Sequence, residues 1–309
     1  MLIEKKRVLK AVKIIFIVLV FYFLTRYFVH NMDEIKALNI RLDWGVFALS
    51  MLFYFLYKLT LASLWHYITK INNCNIKYTN AVSSYLYSIL GKYIPGKVFM
   101  LAARMPAYQK EGVPLRKVTV CFFIENICTL LGAAFLALIS LFFFPNDLLQ
   151  DYAMIITCFV IVFFICINPK VINFFLKHLG RLIKKKDMEI SMTYGQMVKV
   201  VLLFIANWFV VGVGFYMLVC SIYPIPFEQM LFTGGIFGLS AIIGIISIFA
   251  PAGLGVREGI LIAGLLLIMS HEYAVIISVV SRLWGTVSEL ILILIAFFIE
   301  KIRTNISVK

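Results

Sequence analysis

Apolar residues in this chain gather into eight long runs, at roughly 11–29, 44–66, 118–144, 152–168, 200–221, 229–249, 255–269 and 274–299. A helix that crosses hydrocarbon satisfies its backbone groups internally and needs about 20 such residues. The pattern therefore predicts an all-α, polytopic integral membrane protein of about eight segments. The seventh run is the exception, because Arg257 and Glu258 stand in its first turn. The short apolar stretch that remains suits a half-helix shielded by protein better than a span facing lipid.

Two stretches break the apolar pattern in the same way. Phe249 to Gly259 reads FAPAGLGVREG, a helix-breaking Pro251-Ala252-Gly253-Leu254-Gly255 run followed by an Arg-Glu pair. Earlier, Tyr78 to Leu90 is apolar and aromatic at helical spacing, Gly91 to Lys97 interrupts it at Pro95-Gly96, and Val98 to Met105 resumes. An interrupted backbone at membrane depth must find hydrogen-bond partners in protein or in a wet cavity. Both stretches are read as re-entrant or half-helix elements that mark a site.

Laid over each other, the breaks form an internal correspondence. Pro95 matches Pro251, and each is followed by a basic residue opening a helix, Arg104 or Arg257. Downstream, Glu125 and Arg282 stand in matching places, each an ionisable residue inside a long apolar run. Paired, interrupted segments in two halves point to a transporter site at the repeat interface. The reading is one membrane domain over 1–309, with repeat halves at about 78–144 and 229–299 that allow an inverted repeat.

Composition agrees with a membrane protein: 62% of residues are hydrophobic and 14% charged, and the mean hydropathy is +0.98. A formal net charge of +14 invites a nucleic-acid reading, but the placement of the charges excludes it. Segments 1–13, 67–77, 92–117, 169–199 and 300–309 hold 23 of the 29 basic residues, whereas loops 30–43, 145–151, 222–228 and 270–273 hold 2 basic and 7 acidic ones. The positive-inside rule then puts both termini in the cytoplasm of a multi-pass cell-membrane protein. Within 169–186, Lys and Arg interleave with Phe and Leu, which fits either an amphipathic helix on anionic lipid or a solvated loop. The six cysteines and four histidines lack metal-ligand spacing, and no nucleotide or hydrolase motif is present. Neither a metal nor a cofactor is expected, and no catalytic residue is assigned.

The ionisable residues inside apolar runs carry the functional reading. Glu289 lies one heptad after Arg282, on the same helical face. Arg282 is accordingly expected between Glu125 and Glu289, releasing one carboxylate when an anionic headgroup arrives. A planar guanidinium binds carboxylate or phosphate with the same fork. The helix that starts after Gly255 offers free N–H groups to such a ligand, with Glu258 as its cap and Arg257 snorkelling toward the interface as the plainer alternative. Arg104 and Lys97, with Lys92, are placed at the cytoplasmic mouth. Lys58 is read as a snorkelling lysine, and Arg26, Trp44, Trp65 and Tyr67 as interfacial anchors. Glycines 234, 235, 238 and 244 are read as helix-packing positions.

The segment YIPGKVFMLAAR with its downstream Glu125, and APAGLGVREG with its downstream Arg282, resemble the two signatures of the lysylphosphatidylglycerol synthase transmembrane-region family, also called flippase-like. The chain departs from that pattern at Ala252, Lys97 and Asn126. The resemblance implies a stand-alone flippase-like protein without the soluble aminoacyl-transferase domain of the resistance factors. It also implies that Pro95, Gly96, Pro251, Gly253 and Gly255 shape a site for membrane lipids with an anionic headgroup, a phospholipid or a polyprenyl-phosphate conjugate. Two other readings stay open: a lipid-modifying transferase, of lysyl or lipid-linked glycosyl type, with Glu125 or Glu258 as base, and a membrane partner that hands lipid to a separate synthase or glycosyltransferase.

Overall fold

A computed structural model describes residues 42–93, 98–142, 167–182, 189–247 and 255–307, with Val162, Ile165 and Gly253 between them. The expected first span, most of the fourth, and Pro95, Gly96, Lys97 and Pro251 lie outside the described residues. The described structure is helical: α1 (Trp44–Ile71), α2 (Tyr78–Ser88), α3 (Val98–Gln109), α4 (Leu115–Phe142), α5 (Pro169–Leu182), α6 (Tyr194–Ile222), α7 (Met230–Ile246), α8 (Val256–Leu265) and α9 (His271–Ser307). Among the described residues, five segments are long and apolar enough to cross a membrane: Trp44–Ile71, Leu115–Leu141, Tyr194–Ile222, Phe227–Ile246 and His271–Lys301. The seventh apolar run forms only the ten-residue α8, the half-helix its two charges predict.

Local chemistry sets where these helices begin. Asp43 caps α1 by accepting from the amides of Gly45 (2.9 Å) and Val46 (3.1 Å), and its own amide donates to the Ser221 carbonyl at the end of α6. A Thr193–Gln196 capping box starts α6, leaving few orphan donors at that end. After α2 the chain tightens into a 3₁₀ turn over Ile89–Tyr93 before α3 begins, so the first interrupted element is a pair of short helices joined at the Pro-Gly run.

α6 packs against α1, α4, α7 and α9 and forms the centre of the bundle. Small residues let the backbones approach, as they do where lipid supplies no hydrophobic drive for association. Gly234 of α7 faces Gly212 of α6, Gly235 faces Ser140 of α4, and Gly238 faces the Ala133 carbonyl. The packing role read for glycines 234, 235 and 238 holds. Gly244 serves the same purpose for the second break, because Gly253 lies against its backbone.

Candidate functional site

Each break is tied to the long helix that follows it by a buried arginine–glutamate pair. In the first, Arg104 of α3 forms a salt bridge with Glu125 of α4 through Nη1 to Oε2, and Nη2 donates to Oε1 at 3.3 Å. Arg104 is fully buried. Its Nε donates to Ser88 Oγ at 2.9 Å, and its guanidinium lies 4.2 Å from the Trp65 ring centroid and 4.4 Å from that of Tyr85. A buried guanidinium needs a bidentate partner and aromatic faces of this kind to offset its desolvation.

In the second, the charges are exchanged between the elements. Glu258 of α8 accepts from Arg282 Nη1 of α9 through Oε1, while its Oε2 accepts the Gly255 amide at 2.7 Å. The expected capping role of Glu258 is present, with an ion pair added to it. Gly255 holds φ +81° at the N-cap and Gly253 φ +69° two residues before. A Cβ at Gly253 would come within 2.8 Å of Gly244 Cα, so the loop needs glycine both for its left-handed backbone and for its contact with α7.

The third carboxylate takes two cations. Glu289 of α9 pairs with Lys58 of α1 through Oε1 at 2.8 Å, with Lys92 of the 3₁₀ turn through Oε2, and accepts from Tyr54 Oη at 3.0 Å. Lys58 is enclosed further by the rings of Tyr54 and Tyr57, whose centroids lie 5.4 and 5.3 Å from Nζ. Arg257, next to Glu258, does otherwise: among the described residues it has no carboxylate partner. Its guanidinium lies 4.7 Å from the Phe237 ring centroid, and its buried Nε meets no acceptor among the described residues. Arg282 Nε is likewise buried without an acceptor there.

These pairings correct the expected arrangement. Arg282 is bound by Glu258 rather than held between Glu125 and Glu289. Arg282 and Glu289 share a helical face, yet seven residues of rise put them about 10 Å apart. Gly285 lies between them, and Tyr54 Oη fills that gap, 3.1 Å from where a Cβ would stand. Lys58 is not a snorkelling residue but one of the two cations on Glu289, and Trp65 is not an interfacial anchor but fully buried beside Arg104. Arg257, for its part, is held against an aromatic ring. Tyr54, Tyr57 and Tyr85 also join the cluster unforeseen, their only sequence signal being polar atoms at the apolar pitch of α1 and α2.

The three pairs belong to one electrostatic neighbourhood. Lys92 lies within charge–charge reach of Lys58 and Arg257, Arg257 of Arg282, and Tyr57 of Lys58, Glu289, Glu125 and Arg257. Lys92 is 26% exposed and Lys58 13%, so the cluster reaches the surface on the side of the 3₁₀ turn. No curated protein matches the chain. The family model for the lysylphosphatidylglycerol synthase TM region matches residues 10–293, a span that contains both breaks and all three carboxylates of the cluster. By that match the chain belongs to the lysylphosphatidylglycerol synthase transmembrane-region family.

Proposed function

We propose that this protein binds the anionic headgroup of a membrane lipid at the Lys58–Lys92–Arg257 side of the cluster and carries it between leaflets. The observation that carries the reading is Arg257. A cation inside apolar helices is costly unless paired, and this one has an aromatic face and no carboxylate among the described residues. Lys58 and Lys92 place two further cations beside Glu289, and Lys92 lies within charge–charge reach of Arg257. A phosphate displaces or joins a carboxylate at such donors without a change in geometry.

In this reading Arg104–Glu125 and Arg282–Glu258 are fixed braces. They hold α3 on α4 and α8 on α9, so that the interrupted elements move as units with their long helices. The two brace-bearing segments, 78–144 and 229–299, are the repeat halves, and rocking of one against the other exposes the headgroup site to either leaflet. Both termini face the cytoplasm of the cell membrane, where the exposed edge of Lys92 first meets lipid, and a separate lipid synthase or glycosyltransferase supplies or uses what is moved.

Purified protein in vesicles doped with a fluorescent anionic phospholipid tests this. Leaflet exchange without chemical change, lowered at least tenfold by Arg257→Gln, is the expected result. A new lipid product would instead make the protein a transferase, and exchange unaltered by R257Q would remove Arg257 from the role.

A further inference from the structure

We infer that α5 is an interfacial helix that rests on the anionic lipid of one leaflet, with Phe174 and Phe175 in the acyl boundary and Lys170 and Lys177 at the phosphates. The inner side of α5 is fixed to one end of the bundle. Ile172 and Leu176, one turn apart, are buried in the core. Between them Asn173 clamps the segment ahead of α6, its Oδ1 accepting from the Ile190 amide at 2.8 Å and its Nδ2 donating to the Ile190 carbonyl at 3.3 Å. The next amide, that of Ser191, donates at 3.0 Å to Oδ1 of Asn72, the residue that ends α1. Both α1 and α6 are long and apolar enough to cross a membrane, so α5 lies at the level where one crossing helix ends and another begins.

The outer side is apolar and basic together. Phe174 is 68% exposed and Phe175 64%, their rings in edge contact at 5.6 Å between centroids. Positions 170, 174 and 177 follow the spacing of one helical face, and Lys170, Lys177 and His178 are exposed alongside the rings. Between 169 and 190 the sequence holds six basic residues against two acidic ones, and one of those acids, Glu189, pairs with Lys177 at 2.9 Å. This charge selects the occupant. A second copy of the chain would bring lysine against lysine across a two-fold contact, and water leaves two adjacent phenylalanines without cover. An anionic leaflet meets both kinds of residue, rings below the headgroups and ammonium groups among the phosphates. With 14 residues α5 is too short to cross hydrocarbon, which leaves the plane of the interface as its place.

Photoreactive p-benzoylphenylalanine placed at 174 or 175 of the full-length protein identifies what covers this side, in nanodiscs of phosphatidylcholine with or without phosphatidylglycerol. The same probe at Phe123, exposed on the crossing helix α4, is the positive control. Lipid adducts are expected at 174 and 175, with phosphatidylglycerol enriched roughly threefold over its share of the bilayer and the enrichment lost in high salt. Lys170→Gln combined with Lys177→Gln should return that ratio to about one while lipid adducts persist. Hydrogen exchange over 169–182 in the unmodified protein, slower in discs with phosphatidylglycerol than in those without, is the second measurement should a probe variant misfold. Adducts to a second protein copy, or lipid adducts at 123 with none at 174 and 175, overturn the inference. A phosphatidylglycerol share equal to that of the bilayer, or unmoved by K170Q/K177Q, overturns it too, as do equal exchange rates in the two discs. None of these outcomes depends on leaflet exchange, so the inference stands or falls apart from the transport proposal.

Discussion

Glu258 holds Arg282 with one carboxylate oxygen and caps its own helix at Gly255 with the other. One side chain thereby fixes both the start of α8 and its attachment to α9. Its loss and the loss of Arg282 are then unequal. Glu258→Gln leaves a buried arginine uncompensated and weakens the cap, whereas Arg282→Gln leaves Glu258 its cap bond. Removing one partner of a buried pair costs about 3–5 kcal/mol, and an N-cap adds about 1 kcal/mol. Thermal unfolding in detergent should show E258Q the less stable of the two. Equal stability would mean that the second carboxylate oxygen contributes nothing at Gly255.

Arg104→Lys should be nearly as damaging as Arg104→Gln. The guanidinium makes two bonds to Glu125 and one to Ser88 and lies between Trp65 and Tyr85. A lysine ammonium lacks the planar fork and the stacking surface that this cage uses. A melting temperature for R104K close to wild type would show that charge alone holds α3 on α4.

How far the sequence reveals this site depends on which physical term decides each residue. The breaks were legible because Pro and Gly act on their own backbone, and Gly253 and Gly255 do adopt the left-handed conformation that such a run permits. The buried carboxylates were legible too, since Glu125, Glu258 and Glu289 each interrupt an apolar run where lipid penalises charge. Their partners were not. Spacing along α9 puts Arg282 and Glu289 on one face, but which helix faces them depends on packing around α6, and that packing turns on contacts such as Gly212 with Gly234. Lys58 and Trp65 were misplaced for a related reason: position within an apolar run gives depth, and only the neighbouring helix decides whether a polar atom at that depth reaches water or a partner.

The two positive-φ glycines of the second break should respond differently to alanine. Gly255 has open space around a would-be Cβ, so Gly255→Ala carries only the strain of its positive-φ backbone, about 1–3 kcal/mol. Gly253→Ala adds a contact with the Gly244 backbone at 2.8 Å, where neither side is a flexible side chain. Unfolding midpoints should therefore fall further for G253A than for G255A. The reverse order would show that the loop does not rest on α7 as described.

Glu289→Gln should move stability and lipid affinity in opposite directions. In the lipid-free protein Glu289 is the carboxylate that pairs with both Lys58 and Lys92, and without it both lysines lose that counter-charge among apolar helices, with Arg257 within charge–charge reach of Lys92. Loss of a buried counter-charge of this kind costs about 3 kcal/mol or more, so the unfolding temperature without added lipid should drop. An anionic headgroup, however, competes with Glu289 for the same lysines, and Gln offers much weaker competition. Added anionic lipid should then bind E289Q more tightly than wild type and, by mass action on the folded state, recover much of the lost stability. Melting curves with and without phosphatidic acid read both quantities at once. A variant that loses stability and lipid affinity together would mean that Glu289 helps to build the headgroup site instead of holding its place.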